Sequence, residues 1–136
     1  MANSEGICSP RSQRMNVLIV DDNPAVRRAL RALFESDTAF DVCGEAENGR
    51  EGLEKAIQLR PDLVVIDLSM PVMNGLDASR ALNLQVPGIS IILFSGFSDV
   101  LTAQEAHSVG IAALVSKSEP TSLLEVAHEV LRQNAA

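Results

Sequence analysis

The stretch Val17-Leu18-Ile19-Val20-Asp21-Asp22-Asn23-Pro24 decides the fold class. Its first four residues are apolar and mostly β-branched, which is typical of a strand buried on both faces. Two acidic residues end the strand, and a helix start follows them, because asparagine caps a first turn and proline suits its first position. A buried strand that passes directly into a helix indicates a parallel sheet with crossover helices.

The same unit recurs four more times along the chain. Further apolar runs lie at 40–43, 63–66, 91–94 and 112–115, and helical spacing or helix-start residues predict helices at 24–34, 49–60, 75–84, 99–109 and from 122 onward. The run at 40–43 alternates apolar and polar residues, so it is expected to be an edge strand. The pattern predicts an α/β fold: a (βα)5, flavodoxin-like, three-layer sandwich with a parallel five-stranded sheet in the order 2-1-3-4-5.

Composition supports one domain and excludes some function classes. The chain has 136 residues, 46% of them hydrophobic and 21% charged, which suffices for one core. Its net charge is -7, and it has no Trp and no Tyr. An acidic chain without these aromatic platforms is poorly suited to bind nucleic acid or an anionic membrane directly, so neither is an expected partner.

The N-terminus differs from the rest of the chain. Residues 1–14 are polar and have no apolar signal segment, so we expect a flexible tail at residues 1–15 and one domain at 16–136. No apolar run reaches the roughly 18 residues of a membrane span. The cysteines, Cys8 and Cys43, form no disulfide framework, which suits a reducing cytoplasm.

Polar residues follow four of the five predicted strands. In an open parallel sheet, ligands bind at the carboxyl ends of the strands, so we expect these side chains to converge. They are Asp21 and Asp22 after strand one, Asp67 after strand three, Ser95 after strand four and Lys117 after strand five. Each residue alone has an ordinary explanation, such as a first-turn acid, a turn serine or a solvated lysine. The combination favours a site.

The chemistry of this set points to phosphoryl groups. Three neighbouring carboxylates repel one another and favour an oxygen-seeking cation such as Mg²⁺. A carboxylate is also a competent nucleophile that forms an aspartyl phosphate. The cation and the ammonium of Lys117 would offset charge on the transferring oxygens.

The sequence resembles the receiver domain of two-component response regulators from about Asn16 to Leu131. The resemblance rests on the Asp pair after strand one, on Ser95-Gly96, on Lys117 and above all on Asp67-Leu68-Ser69-Met70-Pro71-Val72-Met73-Asn74-Gly75. It implies that Asp67 accepts the phosphoryl group from a phosphohistidine on a sensor histidine kinase or phosphotransfer protein.

The resemblance also implies the other roles in the site. Asp22 and Asp67 would bind Mg²⁺ directly, Asp21 through water, and Ser69 through its carbonyl. Ser95 would hydrogen-bond the phosphoryl group, and Lys117 would pair with one of its oxygens. Such a protein is primarily a signalling switch, although it catalyses its own phosphorylation and dephosphorylation.

Output is less defined by the sequence. The family resemblance implies that phosphorylation shifts the face formed by the fourth helix, fifth strand and fifth helix, while the first and fifth helices offer alternative homodimer surfaces. The segments 26–30 and 44–49 and Lys117-Ser118 resemble the NarL/FixJ-type branch, whose members usually carry a C-terminal DNA-binding domain. That output domain is absent from this chain, so a free-standing receiver and a receiver from a longer protein both stay open.

Three positions depart from common receiver patterns. Leu114 stands where many receivers carry an aromatic switch residue, and Ser118 stands where many carry a proline after the lysine. The cis or trans state of the Lys117–Ser118 bond is therefore open. Phe97 places a large apolar ring near the acyl phosphate, which predicts slow self-dephosphorylation.

Two other functions compete with the receiver interpretation. A dehalogenase-type phosphatase also forms an aspartyl phosphate, but it needs a second acid where Ser69 stands. A pseudo-receiver would keep the fold as an interaction module without phosphorylation. The complete set of site residues argues against it, whereas Leu114 leaves it some room.

Overall fold

Strands and helices alternate along the part of the chain that the structure, a computed structural model, describes: residues 14–96 and 103–135. The strands are β1 Met15–Val20, β2 Phe40–Ala46, β3 Leu63–Ile66, β4 Ser90–Ser95 and β5 Ala113–Ser116; the helices are α1 Pro24–Glu35, α2 Gly49–Leu59, α3 Gly75–Gln85, α4 Ala103–Ser108 and α5 Ser122–Ala135. Three predictions fall wholly or partly outside the described residues: the N-terminal tail, the ring of Phe97 and the start of the fourth helix at Asp99.

The sheet has the predicted topology. Its five strands are all parallel and lie in the order β2-β1-β3-β4-β5, so the flavodoxin-like order is confirmed. β2 lies at one edge, as its alternating pattern predicted. β2 lies on one side of β1, whereas β3, β4 and β5 follow on its other side, so the strand order reverses between β1 and β3. Folds of this kind bind ligands at that point.

Alternate residues of the central strands face two separate cores, which makes the fold a three-layer sandwich. Val17 and Ile19 pack in the core under α1 and α5, whereas Leu18 and Val20 pack in the core under α2, α3 and α4. All four are completely or almost completely buried. None of the helices in the described ranges is long and apolar enough to cross a bilayer.

A β-bulge interrupts the pairing of β1 with β2. Val17 lies opposite Val42, but Leu18 lies opposite Gly44, so Cys43 is the extra residue. Successive side chains of a strand point to opposite faces of the sheet, so one extra residue moves each later side chain of β2 to the opposite face. Glu45 consequently lies opposite Ile19 and faces α1, where two arginines contact it.

Asparagine side chains begin the first three helices. The Oδ1 atoms of Asn23, Asn48 and Asn74 accept hydrogen bonds of 2.8–2.9 Å from backbone N–H groups in the first turns of α1, α2 and α3. Each cap satisfies a backbone donor that has no partner within the helix, which is worth about 1 kcal/mol. The caps of α1 and α3 also fix how the chain leaves the sheet beside Asp21 and Asp67.

Candidate functional site

Three carboxylates meet at the carboxyl edge of the sheet. Asp21 and Asp67 are 1% and 5% exposed, whereas Asp22 is exposed. One oxygen from each of the three lies within 4.8 Å of the other two. The predicted convergence of the acids after β1 and β3 is therefore present in the structure.

The parallel ladder places these acids side by side. Val20 of β1 pairs with Ile66 of β3, and the N–H of Asp67 donates to the carbonyl of Val20 (2.9 Å). On the other side, the N–H of Asp21 donates to the carbonyl of Ala46 (3.0 Å). Asp21 and Asp67 therefore directly follow the last paired residues of β1 and β3, and hydrogen bonds to neighbouring strands fix their backbone.

Lys117 bridges the two buried acids. Its Nζ lies 3.1 Å from Oδ2 of Asp21 and 3.1 Å from Oδ1 of Asp67. The N–H of Lys117 donates to the carbonyl of Ser95 (2.8 Å), which ties the end of β5 to the end of β4. Ser95 is half-buried at the same edge. The structure therefore brings Lys117 into contact with the cluster and places Ser95 at its rim.

The site shifts the ionisation of its central groups. Burial, and then the neighbouring charge of Asp21, raise the pKa of Asp67, although Lys117 partly offsets them. For Lys117 itself, burial alone would lower the pKa, but its ion pairs with Asp21 and Asp67 outweigh burial and raise it. The lysine is firmly cationic at neutral pH, and the carboxylates hold more negative charge than it neutralises.

The donor set of this cluster suits Mg²⁺. Oδ2 of Asp21 is buried and receives no hydrogen bond from the described residues, although Lys117 lies near it in ion-pair distance. A buried carboxylate oxygen with a single ion pair has room for a further positive partner, and a hard cation would supply it. The structure also places the exposed Ser69 two residues after Asp67, and its role as a carbonyl ligand stays a prediction.

Two glycines hold the loop between β3 and α3 tightly against its neighbours. A Cβ atom on Gly75 would lie 2.3 Å from the carbonyl oxygen of Asp67, and one on Gly49 would lie 2.3 Å from that of Met73. The N–H groups of the same glycines donate to the carbonyls of Leu68 (2.8 Å) and Met73 (3.0 Å). Sequence reasoning gave neither glycine a role in the site, although Gly75 belongs to the motif that begins at Asp67.

Val72 adopts a strained conformation in this loop. Its φ is +71°, in the left-handed region that β-branched residues disfavour, and it is 75% exposed. Asparagine tolerates this region better than valine. We expect Val72→Asn to raise the free energy of unfolding by about 1 kcal/mol, as measured by urea denaturation.

A Val72→Thr variant is the matched control for this prediction. Threonine is polar like asparagine but keeps the β-branch, so it leaves the backbone strain in place. Stabilisation by threonine equal to that by asparagine would contradict the strain account and attribute the gain to surface polarity.

The end of β5 carries a serine where many receivers carry a proline after the lysine. The described residues contain no cis peptide bond, so the Lys117–Ser118 bond is trans. The N–H of Ser118 donates to Oγ of Ser116 (3.1 Å), and the two serine hydroxyls lie 2.7 Å apart. Two serines therefore shape the turn that presents Lys117.

Comparison with known families decides the assignment. The model of the response regulator receiver domain matches residues 17–128. This chain belongs to that family. The match includes the described acidic cluster, Ser95 and Lys117, so the resemblance seen in the sequence is confirmed at the level of the family.

Individual relatives agree with this assignment. The receiver is 42% identical over 117 residues to the protein-glutamate methylesterase/protein-glutamine glutaminase 3 of Paramagnetospirillum magneticum, an alignment that covers 86% of this chain and 33% of that protein. It superposes on the response regulator domain of Thermotoga maritima CheB with a TM-score of 0.81 and 28% identity, over 88% of this chain and 97% of that one.

A second solved structure comes from another class of regulator. A LuxR-family two-component response regulator from Aurantimonas sp. gives a TM-score of 0.83 and 28% identity, over 88% of this chain and 86% of that one. The receiver is thus similar both to methylesterase/glutaminase proteins and to a LuxR-family response regulator. The chain spans about a third of the length of the methylesterase relatives it matches.

Proposed function

We propose that this receiver accepts a phosphoryl group on Asp67 in a Mg²⁺-dependent reaction. The observation that carries the proposal is Lys117, whose Nζ lies 3.1 Å from both Asp21 and Asp67 in a buried acidic cluster. An ammonium that bridges two carboxylates can exchange one contact for a phosphoryl oxygen while it keeps the other.

The transfer step is a displacement at phosphorus. An oxygen of the Asp67 carboxylate attacks the phosphorus of a phosphohistidine, the new O–P bond forms, and the P–N bond breaks as the imidazole leaves. Lys117 pairs with an oxygen of the arriving group, and Ser95 donates a hydrogen bond to another. Later attack of water breaks the O–P bond and restores the carboxylate of Asp67 with release of inorganic phosphate.

Four residues would hold the cation: Asp21, Asp22, Asp67 and the carbonyl of Ser69. Bound Mg²⁺ would offset the negative charge of the carboxylates and of the phosphoryl oxygens. The raised pKa of Asp67 and the buried carboxylate of Asp21, whose Oδ2 has only the ion pair with Lys117 among the described residues, support this role, because both indicate negative charge that Lys117 does not fully offset.

The wider context of the reaction is part of the proposal. The phosphodonor is a sensor histidine kinase or phosphotransfer protein, and the reaction takes place in the cytoplasm. The receiver begins with β1 at Met15, and the residues before it act as its tail. Regulated output goes through the face of α4, β5 and α5, where Leu114, at the position of the aromatic switch residue of many receivers, is 36% exposed.

Labelling with acetyl phosphate tests the reaction directly. With Mg²⁺ present, we expect intact-mass measurement to show one added phosphoryl group per chain. With excess chelator, we expect the initial rate of labelling to fall by about 100-fold, because one electrostatic stabiliser of the transferring group is lost.

Addition of excess Mg²⁺ to the chelated sample should restore its labelling rate, so that sample serves as its own control. A wild-type protein that gains no phosphoryl group with Mg²⁺, or labels equally fast in chelator, would refute the proposal. The first result would favour the pseudo-receiver interpretation.

A further inference from the structure

Arg27 of α1 makes a hydrogen bond to the backbone beside the acidic cluster. Its Nη1 donates to the carbonyl oxygen of Asp21 at 2.5 Å, and its side chain is only 18% exposed. A charged donor to a backbone carbonyl in a half-buried setting is a strong hydrogen bond. The sequence offered Arg27 only as a point of family resemblance.

Glu45 of β2 holds the guanidinium in place. Its Oε1 accepts from Nε of Arg27 (3.2 Å), while its Oε2 accepts from Nε of Arg31 (2.6 Å). The second contact is the largest cause of the lowered pKa of Glu45, which therefore stays ionised as an anchor. The planar fork of Arg27 can bind the carboxylate and the Asp21 carbonyl together, which a lysine ammonium on one stem does not reproduce.

The Asp21 carbonyl belongs to the peptide plane that links Asp21 to Asp22. The N–H of Asp21 is bound to Ala46, and its Oδ1 accepts from Asn23 N (2.9 Å). With the carbonyl held by Arg27, every polar group of Asp21 except Oδ2 has a fixed hydrogen-bond partner. That plane sets where both carboxylates point.

We propose that Arg27 is a positioning residue: anchored by Glu45, it holds the peptide plane between Asp21 and Asp22 in the orientation that binds Mg²⁺. The inference rests on the proposed function and deepens it. The effect that it predicts on Mg²⁺ affinity when Arg27 is removed is opposite to the effect of charge alone. Removal of a nearby positive charge should by charge alone tighten cation binding, whereas loss of positioning weakens it.

The test is Mg²⁺ titration without phosphodonor, by calorimetry and by the Mg²⁺-induced rise in melting temperature, which need no Trp or Tyr. We expect the Mg²⁺ dissociation constant to rise about tenfold in both Arg27→Gln and Arg27→Lys, the usual effect of losing a group that orients a metal ligand. Acetyl phosphate labelling of either variant should recover when Mg²⁺ is raised.

Arg28→Gln is the matched control, because Arg28 is the exposed neighbour on the same helix and the charge change is identical. It should bind Mg²⁺ as the wild type does. Glu45→Gln removes the anchor but not the donor, and should weaken binding less than Arg27→Gln.

The outcomes separate the inference from the function on which it rests. Wild-type affinity in both Arg27 variants, with only a lower melting temperature in the absence of metal, would reduce Arg27 to a structural role and overturn the inference alone. Tighter Mg²⁺ binding by Arg27→Gln would also overturn the inference, because it would show that Arg27 acts on the site through its charge. No Mg²⁺ binding by the wild type would overturn the inference and the proposed function together.

Discussion

The Asp67→Asn variant is expected to take up no phosphoryl group from acetyl phosphate and yet to be more stable than the wild type. An amide is not a nucleophile toward phosphorus, so intact mass should show unmodified protein at times when the wild type is fully labelled. The variant keeps the shape of the side chain, so the loss reports the missing carboxylate rather than a cavity.

The gain in stability follows from the pKa of Asp67. Burial and the charge of Asp21 raise that pKa in the folded protein, so ionisation of Asp67 costs free energy of folding. This cost is absent below the ordinary pKa of an aspartate, grows as the pH rises from that value to the raised pKa of the folded protein, and is complete above it. Asparagine removes it.

Urea denaturation in chelator checks the prediction. At neutral pH the midpoint for Asp67→Asn should lie above that of the wild type. The gap should narrow as the pH falls from the raised pKa of Asp67 toward the ordinary pKa of an aspartate, and close below it. A lower midpoint at neutral pH would contradict the account of the cluster as uncompensated charge.

Asp77→Asn is the control for labelling. Asp77 is exposed in the first turn of α3 and pairs with Arg80 (3.3 Å), outside the cluster. It should label at the wild-type rate. Labelling of Asp67→Asn to the same extent would place the phosphoacceptor elsewhere.

The second large effect is expected from Gly75→Ala. The new Cβ would lie 2.3 Å from the Asp67 carbonyl oxygen and 2.9 Å from Cα of Leu68. Both are backbone atoms that cannot turn aside, so the loop must move away from β3. We expect the free energy of unfolding to fall by about 3 kcal/mol.

The same displacement should disturb the reaction. A shift of the Asp67 backbone misplaces the nucleophile relative to Lys117, and misplacement by about 1 Å lowers rates by about 100-fold. Labelling rate and urea midpoint are both measured, at temperatures where the variant is folded. A folded Gly75→Ala that labels like the wild type would show that this close contact does not position Asp67.

Gly44→Ala provides the comparison for added volume. There the new Cβ would meet only Cδ1 atoms of Leu59 (3.0 Å) and Leu18 (3.3 Å), at the ends of flexible side chains. The expected change in stability is below about 1 kcal/mol. An equal loss of stability in Gly44→Ala and Gly75→Ala would mean that the effect at Gly75 does not arise from contact with backbone atoms.

The core of the site could be predicted from the sequence because it depends only on strand ends. Parallel strands finish at one edge, so Asp21, Asp67 and Lys117 had to come together once the runs before them were identified as strands. The starts of α1 at Pro24 and of α3 at Gly75 were predictable for a similar reason, since residues at the helix ends determine them locally.

Other features depend on contacts that no local pattern encodes. The apolar run of β2 ends at Cys43, but the strand continues to Ala46 because pairing with β1 holds Glu45 in the ladder. The left-handed conformation of Val72 contradicts its own preference and is imposed by the loop around it. The part played by Arg27 required knowing which face of β2 carries Glu45.

The bulge at Cys43 has a consequence for self-association as well as for the site. β2 is an edge strand, and an edge presents unpaired N–H and C=O groups onto which a strand of another chain can add. The irregular register at Cys43 and the charged Asp41 and Glu45 on either side of it interrupt the flat, apolar template that such addition requires. The single extra residue that directs Glu45 toward Arg27 therefore also protects this edge of the sheet against aggregation.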